Sequence, residues 1–138
     1  MSHAPYRKLF LLALVVAGLT LLCIGVKIHH LPNPVPQHFN LQGISHGSMP
    51  LARIWTYPML SAGLILLLYI LAHCLRRARR AQCWQHCCGL AAVAAALIIL
   101  SSTCVTLTLG QSPIFMLAEP LILLLALVGI IFCWIKQR

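Results

Sequence analysis

Four long apolar runs constrain what this chain can fold into more than any other feature of its sequence. They cover residues 9–26, 54–75, 89–109 and 114–135, and the only charged side chain inside them is that of Glu119. A helix that crosses the hydrocarbon core of a membrane needs about 20 largely apolar residues. The sequence therefore predicts an all-α integral membrane protein with four transmembrane helices.

The charged residues lie at the ends of these runs and predict their orientation. Basic residues precede the first run, separate the second from the third and follow the fourth: Arg7, Lys8, Arg76, Arg77, Arg79, Arg80, Lys136 and Arg138. With four spans all of these share one side, which the positive-inside rule assigns to the cytoplasm. We therefore expect a multi-pass protein of a bacterial cytoplasmic (inner) membrane, with both termini in the cytoplasm and residues 29–53 forming an outer loop.

The basic excess also bears on partners. The formal net charge is +9, but a nucleic-acid-binding protein presents its basic residues on one face of a soluble fold. Here they are confined to span ends, so we expect a lipid bilayer and no nucleic acid as partner. The arginines of the 76–80 segment set the topology and attract anionic headgroups, at about 1 kcal/mol per charge near the surface.

The chain divides into two units that we expect to form one bundle. Residues 1–75 supply a helix, the outer loop and a second helix, and residues 76–138 supply the arginine-rich loop and a helical hairpin. The alanine-rich stretch at 91–96 predicts that the third helix is central. Small residues allow close approach of membrane helices. We therefore expect close helix packing at Gly18, Gly25, Gly63 and Gly89.

The outer loop begins with an unusual proline pattern. Pro32, Pro34 and Pro36 alternate; each fixes its own φ and pushes the preceding residue out of the helical region. The segment must therefore be extended, either polyproline-like or at the edge of a sheet. Two roles stay open: a stiff connector between two helices, or a surface that binds a partner.

The stretch LPNPVPQHFNLQG at residues 31–43 resembles the loop of a known family. It is similar to the loop of the bacterial membrane domain of unknown function 1648, the N-terminal domain of SdpI-type immunity proteins, and the resemblance covers about residues 9–75. The matching positions are Leu31, Pro32, Pro36, His38, Phe39, Asn40 and Gly43. The resemblance implies that these residues meet a peptide or protein partner, in an immunity or signalling role.

The chain departs from that family in two places. Residues 44–50 contain no acid, where the family usually has an acidic or polar turn, and residues 76–138 show no recognisable C-terminal immunity domain.

Two clusters raise the question of a metal. His29, His30, His38 and His46 fall in the outer loop, and Cys83, His86 and Cys87 would share one face of the third helix. Neither spacing matches a closed zinc site, so we expect no metal and no cofactor.

Glu119 is the only acidic residue of the chain, and it lies inside the fourth run. An ionisable residue within a span indicates a functional site by default, here a proton or cation site facing the bundle interior. The alternative is an interfacial carboxylate, solvated or paired with Arg53, Lys27 or a loop histidine.

A single acid cannot form a paired-carboxylate site, and there is no nucleotide-binding glycine loop or nucleophile–base pattern. We therefore expect a non-catalytic protein that binds a peptide or protein partner through its outer loop. The alternatives are a small proton- or cation-coupled transporter that uses Glu119 and works as a homo-oligomer, and an accessory subunit of a membrane complex.

Overall fold

The computed structural model describes residues 6–37, 39–40, 42, 44–77, 80–111 and 113–136. Four helices dominate it: α1 (Tyr6–Lys27), α2 (Thr56–Cys74), α3 (Ala81–Leu107) and α4 (Pro113–Lys136). Each is long and apolar enough to cross a membrane. The predicted all-α membrane fold with four spans is therefore confirmed at this level.

Local chemistry explains why the apolar runs are helical and where α3 and α4 begin. In hydrocarbon a backbone can satisfy its N–H and C=O groups only within the segment itself, so each apolar run becomes a helix. Pro113 opens α4, at a position where its missing N–H costs nothing. α3 begins at Ala81, eight residues before the purely apolar run, because the intervening stretch contains no helix breaker.

Contacts between helices define their directions. Leu9 of α1 lies beside Gly89 of α3, and Cys23 contacts Cys104 nearer the other end, so α1 and α3 run parallel. α2 and α4 run antiparallel to α3. The N-terminal end of α1 and the C-terminal end of α4 therefore lie at the same end of the bundle as the α2–α3 connection. We call this end the basic end, after Arg7, Lys8, Arg77 and Arg80.

α3 occupies the centre of the bundle, as its alanine-rich stretch predicts. It packs against α1, α2 and α4, and α1 also packs against α2. The main core lies towards the basic end and joins buried side chains of three helices: Tyr6, Phe10, Ala13, Val16, Ala17, Ile65, Ala72, Cys88, Ala92 and Ala96. The small residues of α3 let the two neighbouring helices approach closely.

The opposite end of the bundle, which we call the hairpin end, is covered by the segment between α1 and α2. Its two short antiparallel strands are β1 (Val35–Pro36) and β2 (Ser48–Met49). A second core anchors them, formed by Ile24, Val35, Met49 and Ile54. Within the proline-rich segment, Val35 and Pro36 are thus extended and paired in a small sheet, whereas the chain bends at Asn33 and Pro34, which a cis peptide bond joins.

The predicted role of the glycines is wrong at three of the four positions. Gly18, Gly25 and Gly63 lie on exposed faces, and a Cβ atom added to any of them would meet nothing within 4 Å. At Gly89 the same atom would lie 2.9 Å from Leu9 Cβ. Only the rotation of each helix decides which glycine faces a neighbour, and a glycine's place in the sequence does not reveal that rotation.

Candidate functional site

The residues of the proline motif mostly build the hairpin and hold it on the bundle. Leu31 is half-buried against the second core, and Pro36 pairs with Ser48. Pro32 is exposed. His38 and Gly43 lie outside the described residues.

Phe39 attaches the hairpin to the α3–α4 turn. Its ring lies so close to Gly110 that a Cβ atom there would overlap three ring carbons. Gly110 has a φ of +74°, a conformation that favours glycine, and its N–H donates to the Val105 carbonyl at 3.0 Å as α3 ends. The glycine thus provides both the backbone conformation of the turn and the room for the aromatic ring.

Asn40 orders the tip of the hairpin. Its Oδ1 accepts hydrogen bonds from the backbone N–H groups of Gln42 (3.0 Å) and Ile44 (2.9 Å), while its own N–H donates to the Ile44 carbonyl at 3.0 Å. Asparagine favours such turns because its short amide reaches the backbone a few residues on. The turn leaves the side chain of Ile44 60% exposed.

A chain of hydrogen bonds crosses the bundle below the hairpin. Ser102 of α3 donates to Glu119 Oε1 of α4 at 2.6 Å. Thr106 donates its one hydroxyl hydrogen to the Ser102 carbonyl at 3.0 Å, so its 3.3 Å contact with Tyr57 of α2 is a bond that the Tyr57 hydroxyl donates. Glu119 is half-buried and faces α3. Its hydrogen-bond partner, Ser102, was not among the partners expected from the sequence.

Further polar side chains lie at about the same depth. The helix directions place Thr20 of α1 and Ser61 of α2 close to the level of Ser102, and both are fully buried. Thr20 donates to its own helix at the Val16 carbonyl, 3.2 Å away. Ser61 Oγ is buried without a hydrogen-bond partner among the described residues. Each helix therefore contributes a polar group to one layer, which we call the polar layer: Thr20, Ser61, Ser102 and Glu119.

Sequence reasoning found Glu119 but missed the rest of the polar layer. The available signal was the stretch SSTCVTLT at 101–108, in which five of eight residues carry a hydroxyl group, an unusually polar composition for a membrane-spanning helix. Thr20 and Ser61 carry no comparable signal, because an isolated hydroxyl in a helix is ordinarily satisfied by its own backbone.

The cysteines and histidines do not assemble into a metal centre within the described part of the chain, where no group of three His, Cys, Asp or Glu side chains is close enough to hold an ion. Cys83 and Cys87 contact each other on α3. His86 Nδ1 lies 2.8 Å from the Gln82 carbonyl and bonds within its own helix.

At the basic end, Arg80 lies over the Trp134 ring, with Cζ 5.5 Å from the ring centroid. The Trp134 ring also meets the Trp84 ring edge-on, with 5.6 Å between the ring centroids. The start of α3 is therefore attached to the end of α4 by aromatic contacts. Arg77 is exposed. Arg79 and the side chain of Arg76 lie outside the described residues.

Fold and site together define a four-helix integral membrane protein with a structured cap at one end. No family model, no curated protein and no solved structure matches the chain. Its function must therefore be argued from its own residues.

Proposed function

We propose that this protein spans a bacterial cytoplasmic membrane with both termini in the cytoplasm and the hairpin outside. The supporting observation is the separation of charge along the bundle. Arg7, Lys8, Arg77 and Arg80 lie at the basic end, whereas the hairpin end has Lys27 and Arg53. Basic residues near span ends favour the cytoplasmic side.

In that orientation the hairpin is a non-catalytic binding surface for a peptide or protein partner. The observation that carries this proposal is a preordered cap whose turn exposes one large apolar side chain, that of Ile44. Val35 and Phe39 hold the hairpin on the bundle, and Asn40 orders the turn that presents Ile44 to solvent. A surface already held in its binding conformation loses little conformational entropy when a partner docks. The role in immunity or signalling rests on the family resemblance of the 31–43 segment.

The proposal assigns different roles to the motif and to the residues that follow it. Phe39 and Asn40 of the motif hold and shape the hairpin, and the exposed residues 44–48 meet the partner. A photo-crosslinking amino acid at Ser45 in intact cells, followed by mass spectrometry of the adducts, identifies what lies against the tip.

Ile44→Asp should lower the crosslinking yield by at least about tenfold, the effect expected of a central contact residue. The matched control is Gln111→Asp, which makes the same charge change at the same end of the bundle, on the exposed α3–α4 turn. Equal yields from the two variants, or a crosslink to lipid alone, would rule out a partner at the tip.

A second candidate function, proton- or cation-coupled transport, is favoured by one observation: the half-buried Glu119 carboxylate, bonded to Ser102 within the polar layer. Ionisable groups inside spans are common in proton and ion pathways. Four helices leave little room for a private pathway, so a homo-oligomer would form it.

The transport candidate is tested with purified protein in vesicles that contain a pH-sensitive dye. Glu119→Gln should abolish proton flux, and Glu119→Asp should retain part of it. Flux that is absent in the unchanged protein, or that survives in Glu119→Gln, would exclude Glu119 as a carrier.

A further inference from the structure

A groove between α1 and α2 at the basic end has the features of a lipid site. It encloses about 490 Å³, within the size range of small-molecule sites. On α1 it extends from Arg7 to Leu14, and on α2 from Tyr69 to Ala62. Its ends are seven helical rises apart, which makes it about 10 Å long, and it opens on the side of the bundle, where acyl chains lie.

The chemistry of the groove changes along its length. Its far part is lined by aliphatic side chains, among them Leu14 and Ala62. The part nearest the basic end is lined by the exposed residue Arg7 and by Tyr69, whose ring meets the Phe10 ring edge-on with 5.2 Å between the ring centroids. One end therefore suits an anion and the other suits hydrocarbon.

Charge identifies the kind of anion. The only acidic side chain of the chain, Glu119, is hydrogen-bonded to Ser102 towards the hairpin end of the bundle. Arg7 therefore has no acidic side chain of its own protein as counter-charge. A phosphate group of a lipid reaches this level of a membrane naturally, and guanidinium binds phosphate through charge-assisted hydrogen bonds.

We propose that this groove binds one anionic phospholipid. Its phosphate lies on Arg7, and the part of one acyl chain nearest the headgroup lies between α1 and α2. Lipid tails are as apolar as the groove walls, so burial of the tail gives no hydrophobic preference over bulk lipid. Selectivity arises at the head: a zwitterionic lipid carries its own ammonium group, which competes with Arg7 for the phosphate. Lys8 and Arg77, which lie at the same end of the bundle outside the groove, add a general attraction for anionic lipids.

Native mass spectrometry of the full-length protein, released from nanodiscs that contain equal amounts of dioleoyl phosphatidylglycerol and dioleoyl phosphatidylcholine, tests the proposal. We expect one retained phosphatidylglycerol. Arg7→Gln should lower its occupancy by about fivefold, the factor expected for loss of one cation near a headgroup. Ala62→Phe, which fills the exposed groove without changing charge, should lower it similarly.

Lys8→Gln is the matched control, because it removes an adjacent exposed charge that does not line the groove. It should lower occupancy much less than Arg7→Gln does. Equal losses would mean a general surface attraction and would overturn the site, as would equal retention of the two lipids. Displacement of the lipid by glycerol 3-phosphate alone would show an anion site without an acyl groove, which also overturns the proposal. Circular dichroism of each variant confirms that the helices are intact.

Discussion

Ser102 on α3 and Glu119 on α4 are joined by a partly buried 2.6 Å hydrogen bond between two helices of the bundle. This bond is notable because α4 is the outermost helix: none of the residues in its apolar segment Leu117–Ile135 is fully buried. Packing alone therefore specifies the position of α4 weakly, whereas a directional bond between two polar side chains sets its rotation and its register against α3.

Breaking this bond should loosen α4. In a double-mutant cycle with Ser102→Ala and Glu119→Gln, we expect a coupling free energy of about 0.6 kcal/mol and at most about 1.7 kcal/mol, the range found for hydrogen bonds between membrane helices. Reversible unfolding in mixed micelles measures the four free energies of unfolding. Strict additivity of the two single changes would show that the bond contributes nothing to stability.

Gly110→Ala should detach the hairpin from the α3–α4 turn. The new methyl group would overlap the Phe39 ring, and alanine disfavours the φ of +74°. We expect a loss of about 1–3 kcal/mol in the free energy of unfolding, typical of one strained residue. Thermal unfolding followed by the fluorescence of the three tryptophans checks it. The control is Gly18→Ala, in open space within a helix, which should leave stability unchanged or raise it by up to about 1 kcal/mol.

Gly89→Ala should separate α1 from α3. Its Cβ atom would lie 2.9 Å from both Cβ and Cδ1 of Leu9, so the helices must shift, because Cβ is fixed to the backbone. Overpacking of this kind costs about 1–3 kcal/mol. Gly25→Ala, where the added atom meets nothing, is the matched control in a neighbouring helix. Indistinguishable unfolding temperatures for the two variants would contradict the close approach at Gly89.

Cysteine labelling should report the orientation of the protein, provided that the cysteine is accessible. Cys74 is exposed at the end of α2, whereas Cys83 is only 2% exposed and would stay unlabelled on either side of the membrane. With the basic end in the cytoplasm, an impermeant maleimide should label Cys74 only after permeabilisation. A cysteine placed at the exposed Ser45 in a Cys74→Ser background should label in intact cells. Labelling of Cys74 in intact cells would invert the proposed orientation.

Several elements of the fold could be predicted from local sequence. The four spans follow from hydropathy summed over about 20 residues. The extended backbone at Val35 and Pro36 follows from the restrictions that a proline imposes on itself and on its predecessor. The start of α4 follows from Pro113. In each case the physical cause acts within the segment concerned, so no knowledge of its neighbours is needed.

The candidate site was predicted only in part. Glu119 is conspicuous as the single acid, but its partner depends on the rotation of α3 and α4. Phe39 is conspicuous within the motif, but its position on Gly110 brings together residues 71 positions apart along the chain. Ser61 gives no sign in the sequence that its hydroxyl is buried.

By itself, then, the sequence determined that this is a four-helix membrane protein whose basic residues lie at span ends, because hydropathy and charge act locally and add along the chain. The tertiary structure alone decided that Gly89 rather than Gly18, Gly25 or Gly63 is the packed glycine among those four. It also decided that Ser102 is the partner of Glu119 and that the hairpin rests on Gly110. These relationships depend on helix rotation and register, which many weak packing contacts set together and no single segment encodes.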